Sequence, residues 1–193
     1  LKGMIHIGRT VRIPAGRRGD EPSIGLSDTL YGVGFRMGRL KTGTPPRLLA
    51  SSIVYSKCQI QPSAEYVEPF SFVHDAESFF QRERPQYPVN IPNWETMTNE
   101  RTHAIIWEND HLRPSDMMSG GGYGEGPRYC PSIELKVSRF SDKPNHRVWI
   151  EPEGLTSDLV YPNGISTALP EDVQDAFLRT IPGFENVKMV QCG

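Results

Sequence analysis

Three features of the sequence carry residue types able to do chemistry. The first is a glycine-rich stretch, SDMMSGGGYGEGPRY (115–129), that runs directly into CPSIELKVSRF (130–140). Ser132 is placed to cap a helix, Pro131 restricts the entry, and Ile133, Val137 and Phe140 recur at i, i+4 and i+7. Unpaired N–H groups at a helix start, together with the helix dipole, favour an anion such as a dinucleotide phosphate. Arg128 lies just ahead, and Lys136 and Arg139 lie along the helix. GGGYGEG is not the Rossmann fingerprint, because no clear strand precedes it. A plain loop is as good a reading as a phosphate cradle. The second feature is Cys130, beside Arg128 and at the helix entrance, a setting that activates a thiol; a small buried hydrophobe is the commoner alternative. The third is the basic set Arg36, Arg39, Lys41 and Arg47 around FRMGRLKTGT. Read as a strand, this run sends Arg39 and Lys41 to one face, where they can meet phosphate. No aromatic residues are interleaved there, so base stacking is not implied.

Other candidates are weaker. His6, His74, His103, His111 and His146 show no metal-ligand spacing, and no metal is expected. Glu151 and Glu153 in EPEG can be an acid/base pair, but capping or salt bridging is the commoner use of such carboxylates. Nucleophile-elbow, Walker A and zinc-protease motifs are absent. Cys58 and Cys192 read as structural. Three widely spaced cysteines argue against a disulfide framework and for a reducing compartment.

The elements that must position these residues follow from pattern. GMIHIG alternates as a strand, and PAGRRGDEP is a turn. SIGLSDTLYGVGF spaces Ile24, Leu26 and Leu30 as a helix ended by Gly32 and Gly34, and FRMGRLKTGT follows as a strand. This strand–helix–strand unit belongs to an α/β sheet. Between Leu48 and Pro92 the pattern weakens, with SIVY and PFSFV as strand candidates. Thr98 or Asn99 caps a helix over Glu100–Asn109 that buries Ile105 and Ile106. HRVWIEPEG and VKMVQ read as strands. LPEDVQDAFLRTI reads as an amphipathic helix with Val173, Phe177 and Ile181 on one face.

Composition sets the outer bounds. The 193 residues suit one domain or one domain and part of another, and 37% are hydrophobic. No run approaches the roughly 20 apolar residues of a membrane span. The net charge of -2 hides a basic quarter: residues 1–50 carry +6 and the remainder -8. Such a quarter suits an anionic partner, although uneven surface charge alone gives the same count. The chain starts without Met, as if part of something longer, and its start does not resemble a targeting peptide.

Eight strings, in order, resemble the MnmG (GidA) family. They are IHIG (Ile5–Gly8), AGRRGDEPSIGLS (Ala15–Ser27), GRLKTGTPPR (Gly38–Arg47), TNERTH (Thr98–His103), GPRYCPSIELKVSRF (Gly126–Phe140), EPEG (Glu151–Gly154), YPNGIST (Tyr161–Thr167) and LPEDVQ (Leu169–Gln174). Two strings depart from the family pattern. WETMTN replaces the usual YLTHTN, and Cys192 stands in VQCG where Pro is frequent.

The resemblance implies a mixed α/β chain made of part of a glutathione-reductase-like FAD domain plus an α/β insertion domain. Residues 1–50 would belong to the FAD domain, 51–165 to a second insertion domain, and 166–193 to the return toward the FAD domain. It implies an FAD- and NADH-dependent enzyme that, with an MnmE-type GTPase partner, installs an aminomethyl-type group at carbon 5 of the tRNA wobble uridine, taking one carbon from methylene-tetrahydrofolate. A homodimer within a heterotetramer is implied, in mitochondria or alternatively the bacterial cytoplasm. Ser23 matches the flavin-contacting serine. The nicotinamide segment is matched by Gly126, Pro127, Arg128, Tyr129, Cys130, Pro131, Ser132, Ile133, Glu134, Leu135, Lys136, Val137, Ser138, Arg139 and Phe140. Cys130 matches a cysteine considered for the chemistry, and Arg47, Arg128, Lys136 and Arg139 are tRNA-contact candidates. The family's FAD phosphate loop and C-terminal helical domain have no counterpart in these 193 residues, so this stretch alone is expected to bind flavin poorly. Two rival readings are a non-catalytic RNA-binding or assembly module and a small-molecule flavin oxidoreductase.

Overall fold

A computed structural model describes residues 2–63, 91–114 and 131–193. The chain opens with a two-stranded antiparallel hairpin, β1 (Met4–Ile7) and β2 (Val11–Pro14). Gly8 takes φ +57 at its turn, and its N–H donates to the Ala168 carbonyl at 2.7 Å, fastening the hairpin to the rest of the fold. The short helix α1 (Leu26–Gly32) follows and ends at Gly34, whose φ of +88 suits only glycine without strain.

The main body is a six-stranded sheet in the order β4-β5-β6-β7-β3-β8, every neighbouring pair antiparallel. Its strands are β3 (Arg47–Leu49), β4 (Gln59–Gln61), β5 (Asn93–Met97), β6 (Arg147–Pro152), β7 (Leu159–Asn163) and β8 (Met189–Gln191). Alternation in β6 sends Val148 and Ile150 into the core, while Arg147 and Trp149 stay more exposed. Helices α2 (Glu100–Glu108), α3 (Ile133–Arg139) and α4 (Glu171–Leu178) build one core cluster with that inner face. Ile106, Ile133, Val137, Phe177 and Leu178 meet Leu48, Val148, Ile150 and Val160 there. The fold is thus mixed α/β with antiparallel sheets, as the fold-class reading requires.

Helix α2 begins at Asn99 rather than Thr98. Asn99 Oδ1 accepts from Thr102 N at 3.0 Å, and Thr102 Oγ1 accepts from Asn99 N at 3.2 Å, a reciprocal capping box. Asn99 Nδ2 also donates to the Thr180 carbonyl at 2.6 Å, so the cap ties α2 to the end of α4.

Several expected elements are replaced. The opening unit is not strand–helix–strand, because PAGRRGDEP is preceded by β2, and FRMGRLKTGT forms no strand beyond a single bridge at Leu40. Its exposed Arg36, Arg39 and Lys41 leave it without a second row of apolar contacts to hold it in a sheet. SIVY lies between and within tight 3-10 turns, Ala50–Ser52 and Tyr55–Lys57. Phe140 sits at the exposed end of α3 while Ile133 and Val137 are buried. PFSFV and the glycine-rich stretch 115–129 lie outside the described residues. WETM forms β5, where Trp94 packs on Tyr55 with ring centroids 4.5 Å apart. Among the described residues no helix is long and apolar enough to cross a membrane.

Candidate functional site

Gly126, Pro127, Arg128, Tyr129 and Cys130 lie outside the described residues, so the described part of that segment is Pro131–Phe140. Ser132 caps α3 as expected, its Oγ accepting from Leu135 N at 3.3 Å. Ile133 N donates to the Ser166 carbonyl at 2.8 Å. Two first-turn N–H groups are therefore already used, which weakens the helix start as an anion cradle. The seven-residue helix is also only two turns long.

The inner side of α3 serves the fold. Ile133 and Val137 are core, and Glu134 is only 2% exposed, its carboxylate accepting the Thr167 hydroxyl. Thr167 Oγ1 in turn accepts from Leu169 N at 3.1 Å. Lys136 is half-buried and donates from Nζ to the Gly164 carbonyl at 2.7 Å. Leu135 is half-buried, whereas Ser138, Arg139 and Phe140 form the exposed end. A ligand reaching α3 meets that end, while Ile133, Glu134 and Val137 act only through the scaffold.

The strings TGTPPR, EPEG and YPNGIST, far apart in sequence, meet beside this helix. Thr167 N donates to the Thr44 carbonyl at 3.2 Å, drawing the YPNGIST end against TGTPPR. Arg47 lies at the start of β3 with its guanidinium 4.7 Å above the Tyr161 ring. Its Nε donates to Glu153 Oε1 at 2.7 Å, and its Nη1 reaches Thr44 Oγ1 and the Pro45 carbonyl at 3.2 Å. Arg17 Nη2 stands 3.9 Å from the other Glu153 oxygen, so one carboxylate faces two guanidinium groups. Glu153 therefore does ion pairing here, and Glu151 accepts from Asn163 Nδ2 at 3.1 Å.

The neighbouring Arg18 secures the same loop. It donates to Cys192 Sγ and lies 3.8 Å from Glu171, while Gln191 Nε2 donates to the Arg18 carbonyl at 3.0 Å. Burial pushes the Cys192 thiol up in pKa against the pull of Arg18, and burial with Glu185 nearby pushes Cys58 up. Both shifts favour the protonated thiol over the thiolate.

Ser23 is exposed, and its carbonyl accepts from Lys2 N at 2.9 Å. Ile24 and Leu26 beside it are 72% and 54% exposed. Ser23 is thus part of an exposed surface that also presents apolar side chains. Arg39 donates to the Lys2 carbonyl at 3.2 Å from an irregular segment, so the expected shared strand face with Lys41 does not form. Among the described residues no group of three or more His, Cys, Asp or Glu is placed to hold a metal.

A pair of histidines, absent from the expected site, joins α2 to β6. The Thr98 hydroxyl accepts from His146 N at 2.8 Å and lies 2.8 Å from His103 Nε2. The rings pack at a tilt of 34° with centroids 5.1 Å apart, and the buried His146 Nε2 has no hydrogen-bond partner among the described residues. Burial lowers the pKa of both, opposed at His103 by Glu100 and reinforced at His146 by His103, Lys136 and Lys143. Because the folded values lie below the ordinary 6.5, the unfolded chain takes up protons first as pH falls. Stability is therefore full above about pH 6.5 and declines below it. A thermal melt series from pH 7.5 to 5 is expected to show a falling Tm, with the decline reduced in His146→Gln; an unchanged slope would remove the pair as its cause. The sequence places His103 in TNERTH and shows no metal-ligand spacing among the histidines, and neither feature joins His103 to His146.

Comparison with known proteins extends over the whole chain. The family model described as "Glucose inhibited division protein A" matches residues 1–193. A relative from Bdellovibrio bacteriovorus, named tRNA uridine 5-carboxymethylaminomethyl modification enzyme MnmG, is 52% identical over 194 residues, covering 100% of this chain and 28% of its own. The protein of the same name from Lactococcus lactis subsp. cremoris SK11 is 47% identical, covering 100% and 29%. The form II crystal structure of Aquifex aeolicus GidA superposes with a TM-score of 0.78 at 39% identity, covering 99% of this chain and 28% of that one. The chain thus spans just under three tenths of the length of these relatives.

Proposed function

Because the chain belongs to the glucose inhibited division protein A family, we propose that it is a working part of an FAD-dependent enzyme that modifies carbon 5 of the wobble uridine in tRNA. The observation that carries this reading is identity of 47–52% across the entire chain to proteins named as tRNA uridine modification enzymes. The basic quarter at 1–50 and the Arg47 corner add the anion-facing surface that a tRNA substrate needs. In the same reading NADH reduces the flavin, methylene-tetrahydrofolate supplies the carbon, and an MnmE-type GTPase works beside a homodimer of this enzyme. The bacterial source of the relatives supports the bacterial cytoplasm over the mitochondrion.

The residues divide accordingly. Ser23 would contact the flavin, whose chemistry is two-electron transfer. Gly126–Phe140 would line the nicotinamide side, with Ser138, Arg139 and Phe140 as its exposed described end. Arg47, Arg128, Lys136 and Arg139 would meet phosphate, and Cys130 would take part in the chemistry at carbon 5. Residues 1–50 and 166–193 would belong with the flavin domain and 51–165 with the insertion.

The test is a family enzyme whose matching stretch is replaced by this chain. The chimera is expected to purify with flavin that NADH bleaches anaerobically, and Ser23→Ala is expected to lower flavin retention. A folded chimera whose flavin NADH leaves oxidised would contradict the nicotinamide assignment, and full flavin retention by Ser23→Ala would remove that contact.

A further inference from the structure

We propose that Glu153 and Tyr161 are positioning residues that hold the Arg47 guanidinium in a fixed pose as a phosphate-binding group. The inference rests on the reading above that phosphate-bearing ligands reach this corner.

The case begins with how Arg47 is used. Glu153 Oε1 takes Nε, while Thr44 Oγ1 and the Pro45 carbonyl take Nη1. Arg47 Cζ lies over the Tyr161 ring, 4.7 Å from its centroid. Nη2 makes no hydrogen bond among the described residues, although the side chain is only 17% exposed. A guanidinium has five donors, and this pose holds one edge while leaving another unused.

Charge supports the same conclusion. Glu153 is shared between Arg47 at 2.7 Å and Arg17 at 3.9 Å, so two positive groups face one negative group. The corner keeps a surplus positive charge after internal pairing, which suits a phosphate better than a neutral ligand. A purely structural ion pair needs neither the second arginine nor the aromatic floor. An arginine already immobilised also loses less side-chain freedom when it binds, so its affinity is greater than that of a free surface arginine. The supporting groups come from three separated strings, with Thr44 and Pro45 beside Arg47, Glu153 in EPEG and Tyr161 in YPNGIST.

The experiment separates positioning from simple electrostatics, because the two predict opposite signs. Removing a carboxylate raises local positive charge, so bare electrostatics predicts tighter phosphate binding by Glu153→Ala. Positioning predicts weaker binding, with Glu153→Gln partly restored because its amide oxygen still accepts from Nε. Likewise Tyr161→Leu should weaken binding, and Tyr161→Phe should retain it. Each variant is made in the chimeric family enzyme, and melting and flavin content confirm that it is folded.

Two ligands are measured, tRNA at several salt concentrations and NADH by its KM. Arg47→Ala, Glu153→Ala and Tyr161→Leu are each expected to weaken one ligand on the order of tenfold. If the phosphate belongs to tRNA, Arg47→Ala also reduces the slope of log affinity against log salt by about one. If it belongs to the dinucleotide, that slope is unchanged and the NADH KM rises. A wild-type chimera that binds neither ligand overturns the functional reading, and this inference with it. Binding of both ligands unaffected by Arg47→Ala, or weakened by Arg47→Ala but not by Glu153→Ala and Tyr161→Leu, overturns the positioning role alone.

Discussion

Replacing Gly164 by alanine is expected to destabilise the fold by about 3 kcal/mol, combining the left-handed backbone penalty with a clash against main chain. Gly164 follows β7 with φ +107, a conformation L residues rarely adopt. A Cβ there would stand 2.6 Å from the Arg147 carbonyl oxygen and 3.5 Å from Lys136 Nζ. The carbonyl cannot easily retreat, because Arg147 opens β6, and β6 is paired with β5 on one side and β7 on the other. Any shift of residue 164 also moves the carbonyl that Lys136 bonds, loosening the link from α3 to the sheet. Gly154 is the internal control, since a Cβ there meets nothing within 4 Å and its backbone is not left-handed. Chemical denaturation of the chimera should show the full loss for Gly164→Ala and a change within about 0.5 kcal/mol for Gly154→Ala. Equal effects would contradict the close approach at Gly164.

Gln174→Leu is expected to cost about as much by a different route, roughly 3 kcal/mol, because it leaves several buried polar groups without partners. Gln174 is fully buried in α4. Its Nε2 donates to the carbonyls of Leu169 at 2.7 Å and Gly193 at 3.3 Å, and its Oε1 accepts from Gly193 N at 2.8 Å. Leucine fills similar space, so the loss isolates hydrogen bonding from packing. The segment after β8 is the part released, and Cys192, now 5% exposed, lies within it. A thiol reagent should therefore label Cys192 faster in Gln174→Leu than in the parent. Unchanged labelling together with unchanged stability would show that the amide is dispensable.

The legible parts of this fold were those whose signal is local. Helix α4 carries apolar periodicity, and Asn99 and Ser132 cap α2 and α3 as their positions suggest. Strand β6 alternates cleanly, with Val148 and Ile150 inward. Strands β3 and β4 are three residues each, too short for a period of two to develop, and β7 alternates in burial but carries Pro162 and Asn163, which read as turn formers in the sequence. FRMGRLKTGT had a strand's alternation but found no partner beyond one bridge, since strand identity depends on pairing decided elsewhere. The site divides in the same way. Ser132 and the helix it starts were legible, whereas Arg47 lies more than 100 residues from both Glu153 and Tyr161, and no spacing rule joins it to them. By sequence EPEG allows acid/base chemistry or ion pairing, and the geometry puts Glu153 in an ion pair. The order of eight strings identified the family where local physics offered only a loop, a capped helix and a thiol.

The most direct measurement is nucleoside analysis of tRNA from a bacterium lacking its own family gene and supplied with the chimeric enzyme. Mass spectrometry of the digested tRNA is expected to show the carbon-5-modified wobble uridine restored with the chimera and absent without it. Unmodified uridine at that position, from cells containing folded, flavin-loaded chimera, would contradict the assignment of this chain to the modification reaction.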